Sequence, residues 1–495
     1  MTEKDYIKTI FGLKLKQTRN RKNLSLFDLS TLSGMSKSYL NEIEKGKKFP
    51  REDKIESLSK VLKVSFKELT SLDLDKDLAP LAKILKSNIL REIPLAIFGI
   101  EERDLIDIIA EAPVKVNSFI STLIEIANNY NLTKENFYLA ALRSYQEANE
   151  NYFNHIEIQA KEFSKLFLRT TKSENLSDSL RDILINEYGY RIKVLNFEKD
   201  DEDLQDLRSI YIDENRTLLI NDIVEKSQEE FIFAKEIAYN YLNLVERLDT
   251  FSWAKFDNFK QLLNNFYMSY FAGAVLIPKK ELSKSISSFI QTPTWDTAYF
   301  QSIINQFTSS PETFYQRLTN ILPIHFDIKD LFFLRFNHKI GTNKYHITKE
   351  LHIAQRHSPH ANETSEFYCR RWLSINTIKI LEDDPERMHV NDCQISTYPE
   401  QGNSKYLVIS SATKDPFKLD NIRSVTIGIL ITDAITEQLA LINDKEIPLN
   451  FVGVTCQSCG IKDCKERMAP ATTLEKTNKG FRLQKSVDKY VTKFK

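Results

Sequence analysis

The chain has 495 residues, 42% hydrophobic and 27% charged, which fits a globular protein of about three domains at roughly 150 residues each. No run reaches the roughly 18 uninterrupted apolar residues of a membrane helix, and Met1-Thr2-Glu3-Lys4-Asp5-Tyr6 lacks the apolar core of a signal peptide. Five cysteines, three of them close together near the end, are not a secreted disulfide framework, so the expected setting is the reducing cytoplasm.

Lys plus Arg and Asp plus Glu number 68 each, so the formal net charge is zero, but it is unevenly spread. Residues 1–70 hold sixteen Lys and Arg against nine Asp and Glu, and the remainder is correspondingly acidic. A basic head on an acidic body suits a DNA-binding module carried by a body that does not bind DNA, or simply a solvated charged surface. Apolar residues recur at helical spacing through the head (Ile10, Leu13; Leu26, Leu29, Leu32; Leu40, Ile43; Ile55, Leu58, Leu62), predicting five short helices. Ser25 is placed to cap a helix that buries Leu26, Leu29 and Leu32. Gly34 stops it, and Ser36 caps the next, with Met35 and Leu40 as a hydrophobic staple. So short a turn sets two helices at a steep angle. The second of them, Lys37 to Lys45, presents Lys37, Ser38, Tyr39 and Asn41 outward, positions that reach base edges when such a helix enters the major groove. With Ser36 at the cap, and with Lys45, Lys47 and Lys48 suited to phosphates, these are the candidate contacts to double-stranded DNA.

Residues 71–77 read as an acidic linker and 78–168 as a helical linker or dimerisation region, with 136–167 as one long helix. Residues 175–285 mix short strands at Arg191–Leu195, Ser209–Ile212 and 217–220 with helices at 228–248 and 255–275. A helix and turn fill 311–330. Strands follow at 331–336, Tyr345–Ile353, 405–410 and 424–431, giving a small α/β sensor-like domain over 311–470. The Lys-rich tail 472–495 reads as frayed. The fold class is multidomain, mainly α with α+β. Cys456, Cys459 and Cys464 lie close enough to share a structural zinc, with His389, Cys393 or Cys369 as the fourth ligand. Packed thiols and redox sensing are the alternatives.

The string Met35 to Pro50 resembles the Cro/lambda-repressor (XRE) helix-turn-helix family, which pairs an arginine in helix one with the glutamate ending the recognition helix. Here these are Arg19 and Glu44. Where many members carry Gln early in helix two, this chain has Phe27. The middle region resembles the IrrE-type metallopeptidase domain, but in Phe231-Ile-Phe-Ala-Lys-Glu-Ile-Ala-Tyr239 the two zinc histidines are replaced by Lys235 and Tyr239. The acidic ligand is replaced by Tyr267, before Leu276-Ile-Pro278, and only Glu236 remains. A lysine ammonium has no lone pair for zinc, so this is a degenerate slot, and Lys235 and Glu236 are expected on an exposed helix face. Ser310 to Leu318, Phe367 to Trp372 and Gly453 to Pro470 resemble short-chain fatty-acyl regulators. That resemblance implies an acyl-CoA effector, for which Arg370, Arg371, His352, Arg356 and His357 are the candidate cations.

The reading is a homodimeric, sequence-specific transcription regulator, not an enzyme, that answers a metabolite. One alternative is a stress- or prophage-type repressor governed by a protein partner. The other is a metal-dependent peptidase, against which the missing ligands stand.

Overall fold

The structure, a computed structural model, describes residues 3–72, 134–168, 175–197, 204, 207–248, 256, 258–353, 367–415 and 418–494. The expected elements over 78–133, and Arg356 and His357, lie outside the described residues. The chain divides into two compact units. The first runs to Tyr145 and includes Phe256–Lys260; the second comprises Gln146–Lys255 and Gln261–Lys495.

The first unit opens with the five expected helices: α1 (Glu3–Arg21), α2 (Leu26–Ser33), α3 (Lys37–Glu44), α4 (Glu52–Leu62) and α5 (Phe66–Thr70). Their apolar stripes meet in one core of Phe11, Leu15, Leu29, Leu40, Ile43, Leu58, Leu62 and Leu69. Leu32 is 58% exposed, so α2 does not bury it as expected; with only eight residues, α2 turns Leu29 inward and leaves Leu32 on the outer face. Gly12 lets α1 lie directly on α3. A Cβ there would stand 2.4 Å from the Ile43 carbonyl oxygen. Lys14 is buried, and its ammonium donates to the carbonyls of Glu68 (3.0 Å) and Ser71 (2.8 Å), closing the end of α5.

The expected single helix over 136–167 is two. α6 (Lys134–Ala148) ends at a turn where Glu150 and Asn151 both have φ near 50°, and α7 (Asn154–Phe163) continues into a π-helical turn, Ser164–Leu168. Asn151 tolerates the left-handed backbone. Its buried amide donates to Thr319 Oγ1 (2.8 Å) while its carbonyl accepts from Asn320 (2.9 Å), so packing against a later helix fixes the break.

In the second unit, α8 (Leu176–Asn186) precedes a small sheet of β1 (Arg191–Leu195), β2 (Ser209–Ile212) and β3 (Thr217–Asn221), in the order β1-β3-β2. Five helices follow: α9 (Lys226–Tyr241), α10 (Phe259–Leu276), α11 (Lys279–Ile290), α12 (Thr297–Phe307) and α13 (Pro311–His325). The larger sheet holds β4 (Leu331–Lys339), β5 (Tyr345–Ile353), β6 (His389–Tyr398), β7 (Ser404–Asp415), β8 (Lys418–Leu430) and β9 (Leu449–Phe451). Its order is β5-β4-β8-β7-β6-β9, antiparallel except for β6 with β9. Helix α14 (Leu373–Asp383) packs Ile375, Ile378 and Leu381 against Phe332, Phe336 and Val408 on one face. On the other face Tyr315 of α13 hydrogen-bonds Ser411 at 2.9 Å. Helices on both faces explain why β4 reads as an unbroken apolar run, Leu331-Phe-Phe-Leu334, buried throughout. α15 (Asp433–Gln438) follows β8. The tail is helical, not frayed: α16 spans Thr472–Phe494.

The second unit is pinned by a buried fork. Arg317 of α13 donates through Nη1 and Nη2 to Glu157 of α7 (2.5 and 3.0 Å) and through Nε to the Ile277 carbonyl (3.0 Å). Tyr270 of α10 donates to the same carboxylate at 3.0 Å. Burial alone would raise the Glu157 pKa, but Arg317 and Tyr270 pull it below the ordinary value. Arg317→Met should cost about 3–5 kcal/mol in urea unfolding followed by fluorescence, because it strands a buried carboxylate. Adding Glu157→Leu should recover most of that loss. A single-variant loss below about 1 kcal/mol would contradict the assignment.

Candidate nucleic-acid interface

Helices α2 and α3 have eight residues each, too few to satisfy their own ends, so side chains do it. Ser25 Oγ accepts from the Asp28 amide (3.1 Å), and the Asp28 carboxylate accepts from the Ser25 amide (2.8 Å), a reciprocal capping box. Those bonds hold the Asp28 pKa down. Gly34 ends α2 at φ 70°. Ser36 then caps α3, its hydroxyl accepting from the Tyr39 amide at 3.2 Å. Met35 and Leu40 are both buried, as a staple requires.

At the far end of α3, Arg19 forks onto Glu44. Nε and Nη2 stand 2.7 and 2.9 Å from the two carboxylate oxygens, and Nη1 donates to the Leu24 carbonyl at 2.7 Å. One guanidinium thus fixes α1, the turn into α2 and the end of α3. The hydrogen bond to Glu44 raises the Arg19 pKa against the opposing effect of burial.

With Leu40, Ile43 and Glu44 turned inward, Lys37, Asn41 and Lys45 follow at four-residue intervals on the opposite, exposed face, with Ser38 beside them and exposed Lys47 and Lys48 beyond. Two expectations change. Tyr39 does not point freely outward; it is half-buried and packs on the head's core. Ser36 spends its hydroxyl on the cap. Lys48 is partly spoken for by Glu42 (2.7 Å) and lies over the Tyr39 ring at 5.9 Å, and its bond to Glu42 raises its pKa. Phe27 is 67% exposed in the first turn of α2.

On α9, Lys235 and Glu236 are buried, not exposed as expected, because the helix is covered on both sides from Ile232 to Ala238. Lys235 Nζ donates to Asn265 Oδ1 (2.8 Å), and burial drives its pKa well down. Glu236 accepts from Arg247 (2.7 Å) and from the Tyr190 hydroxyl (3.0 Å), while the Arg247 guanidinium stacks 3.6 Å from the Tyr211 ring centre and 4.8 Å from that of Tyr239. Tyr267 meets Phe153 and His155 edge-on. Among the described residues, no three His, Cys, Asp or Glu side chains are arranged to hold a metal ion.

An isolated bridge between Tyr368 and Thr455 brings the last loop against the start of α14. Cys369, Cys456, Cys459 and Cys464 there line one small void, together with Arg370 and Arg467. Arg467 organises the loop by donating to the carbonyls of Cys456 (2.8 Å), Cys459 (3.1 Å) and Ile461 (2.6 Å). Burial pushes the Cys369 thiol up to about 11. Of the three candidate fourth ligands, only Cys369 lines the void; Cys393 sits within β6 opposite Ile409, and His389 opens that strand. Sequence reasoning missed Arg467. Of the cations named for an effector, Arg370 lies 4.2 Å from the Tyr345 ring centre, Arg371 donates to the Phe451 carbonyl (3.0 Å), and His352 is buried on β5.

No helix among the described residues is long and apolar enough to cross a membrane. Among solved structures, a Mycobacterium tuberculosis transcriptional regulator matches at 15% identity and a TM-score of 0.47, over 67% of this chain and 93% of that one. No curated protein matches the chain. Residues 15–69 match the helix-turn-helix family model, the same segment in which α2, the Gly34 turn and α3 present an exposed polar face. The head, residues 15–69, is a helix-turn-helix of the XRE type.

Proposed function

We propose that the head reads a specific operator through α3 and that the body answers a small metabolite of the short-chain acyl-CoA class. The observation that carries the first half is the capped α3 with Lys37, Ser38 and Asn41 exposed on one face. The second half is supported by the resemblance of residues 310–318, 367–372 and 453–470 to acyl-responsive regulators. A homodimer on a palindromic operator follows from the usual twofold logic of such heads. The internal engagement of Arg370 and Arg371 favours a second reading, in which a protein partner governs the body. A degenerate metallopeptidase origin for the middle region fits a slot where Lys235 and Tyr239 stand in ligand positions and Arg247 holds Glu236. Cys369, Cys456, Cys459 and Cys464 line one void; as they stand no three of them are arranged to hold a metal ion, so a structural zinc there would have to draw the four thiolates together around it.

Asn41→Ala and Ser38→Ala should each cost about 1–3 kcal/mol on the operator and relax the preference at one base position. Lys47→Ala should weaken all sequences alike and lower the salt slope by about 1. Equal losses on specific and random DNA for all three variants would remove α3 as the reading element. Mobility shifts on the protein's own upstream DNA, with a panel of short-chain acyl-CoAs, should show binding altered by one thioester; indifference to every thioester would favour the protein-partner reading. Metal analysis of the purified protein should give about one zinc per chain, lost in Cys456→Ser with Cys459→Ser. Iron with acid-labile sulfide would replace zinc with a cluster, and no metal at all would leave packed thiols.

A further inference from the structure

Strands β4 and β5 join through a turn at residues 340–344, where Gly341 has φ 76°. At its base the His338 ring is fully buried and stacks on Tyr345, with 4.3 Å between ring centres and 13° between planes. A ring so enclosed must find its hydrogen bonds within the chain. Nδ1 lies 2.9 Å from the Lys344 carbonyl oxygen, and Nε2 lies 3.1 Å from Oε2 of Glu382, in the last turn of α14. The other Glu382 oxygen accepts from the Gly341 amide at 2.8 Å. One carboxylate thus ties the turn to α14 at two points.

Both ring nitrogens face acceptors, because a carbonyl oxygen and a carboxylate can only accept. A neutral imidazole has one N–H and one lone pair. With Nδ1–H given to Lys344, its Nε2 lone pair would meet the carboxylate lone pair away from water. The arrangement is satisfied only with one more proton on the His338–Glu382 pair. The surrounding charges point the same way. Glu382 and Asp383 of α14 both act on the Tyr345 ring against which His338 stacks, with Arg370 as the opposing cation. Lys339, next on β4, is exposed and paired with Asp420 at 3.2 Å, and the residue opposite His338 on β8 is the apolar Ile422. The turn is also held by Arg370, whose Nη2 donates to the Asn343 carbonyl at 2.5 Å and which lines the void of the four cysteines.

We infer that His338 and Glu382 form a proton-dependent latch: with one proton more than a neutral ring beside a carboxylate, the pair fastens the β4–β5 turn to α14, and loss of that proton releases it. The latch holds at low pH and opens as pH rises through the histidine range, about pH 5 to 8. Because the same turn accepts from Arg370, opening withdraws a support from one wall of the cysteine void. Amide hydrogen exchange of the full chain, read by mass spectrometry over residues 338–346, tests this, with labelling times scaled so that chemical exchange is equal at each pH. The wild-type turn should lose protection by about tenfold between roughly pH 5.5 and 8.5. Glu382→Gln should stay protected throughout, because its carboxamide N–H donates to the neutral ring while its oxygen still accepts from Gly341. His338→Phe, which keeps a ring on Tyr345 and has no ring N–H, should exchange fast at both ends of the range. Equal wild-type protection across the range overturns the latch. So does a loss that persists in Glu382→Gln, or protection retained in His338→Phe.

Discussion

A helix of eight residues cannot satisfy most of its own backbone ends, and the whole reading surface of this protein depends on how that is met. α2 and α3 are both of this length, and the two serines that cap them stand either side of the Gly34 turn. Those caps set where each helix starts. The starts set the crossing, and the crossing decides that Lys37, Ser38 and Asn41 face away from Leu40 and Ile43. The Arg19–Glu44 fork then fixes the other end of α3 against α1. Gly12 allows that contact, because any side chain there would meet the α3 carbonyls. The positions proposed to touch DNA are thus held by residues that need not touch it.

This explains which parts were legible in the sequence. Caps, staples and short apolar periods are local, so Ser25, Gly34, Ser36 and the five-helix head were readable, as were β1, β2 and β5 with their ends in place. The four-residue window that reads Leu29 inward cannot tell that Leu32 falls on the outer face of so short a helix. Long-range polar contacts leave no local trace. Nothing around Lys14 announces that its ammonium closes α5, 54 residues away, and nothing around Glu157 announces Arg317, 160 residues on. The break at Asn151 was hidden for the same reason, since the groups that hold it belong to α13. Lys235 and Glu236 were misplaced because charge argues for exposure unless a partner is known, and their partners Asn265 and Arg247 lie on other segments.

The slot on α9 shows what such a partner does. A buried carboxylate must be matched by positive charge or be neutralised. Here Arg247 meets that demand, placed against the rings of Tyr211 and Tyr239 and bonded to Glu236 beside Tyr190. Each Glu236 carboxylate oxygen accepts a hydrogen bond in this buried arrangement, which suits a scaffold more than a general base.

The charge pattern ties these parts to function. DNA attracts cations along its whole length, so a regulator with a uniformly basic surface would bind everywhere and discriminate little. Here the excess of Lys and Arg is confined to residues 1–70 and 472–495, with an acidic excess between. Under the proposed role, the acidic excess of the body would be repelled from a duplex, which favours contact through the basic head.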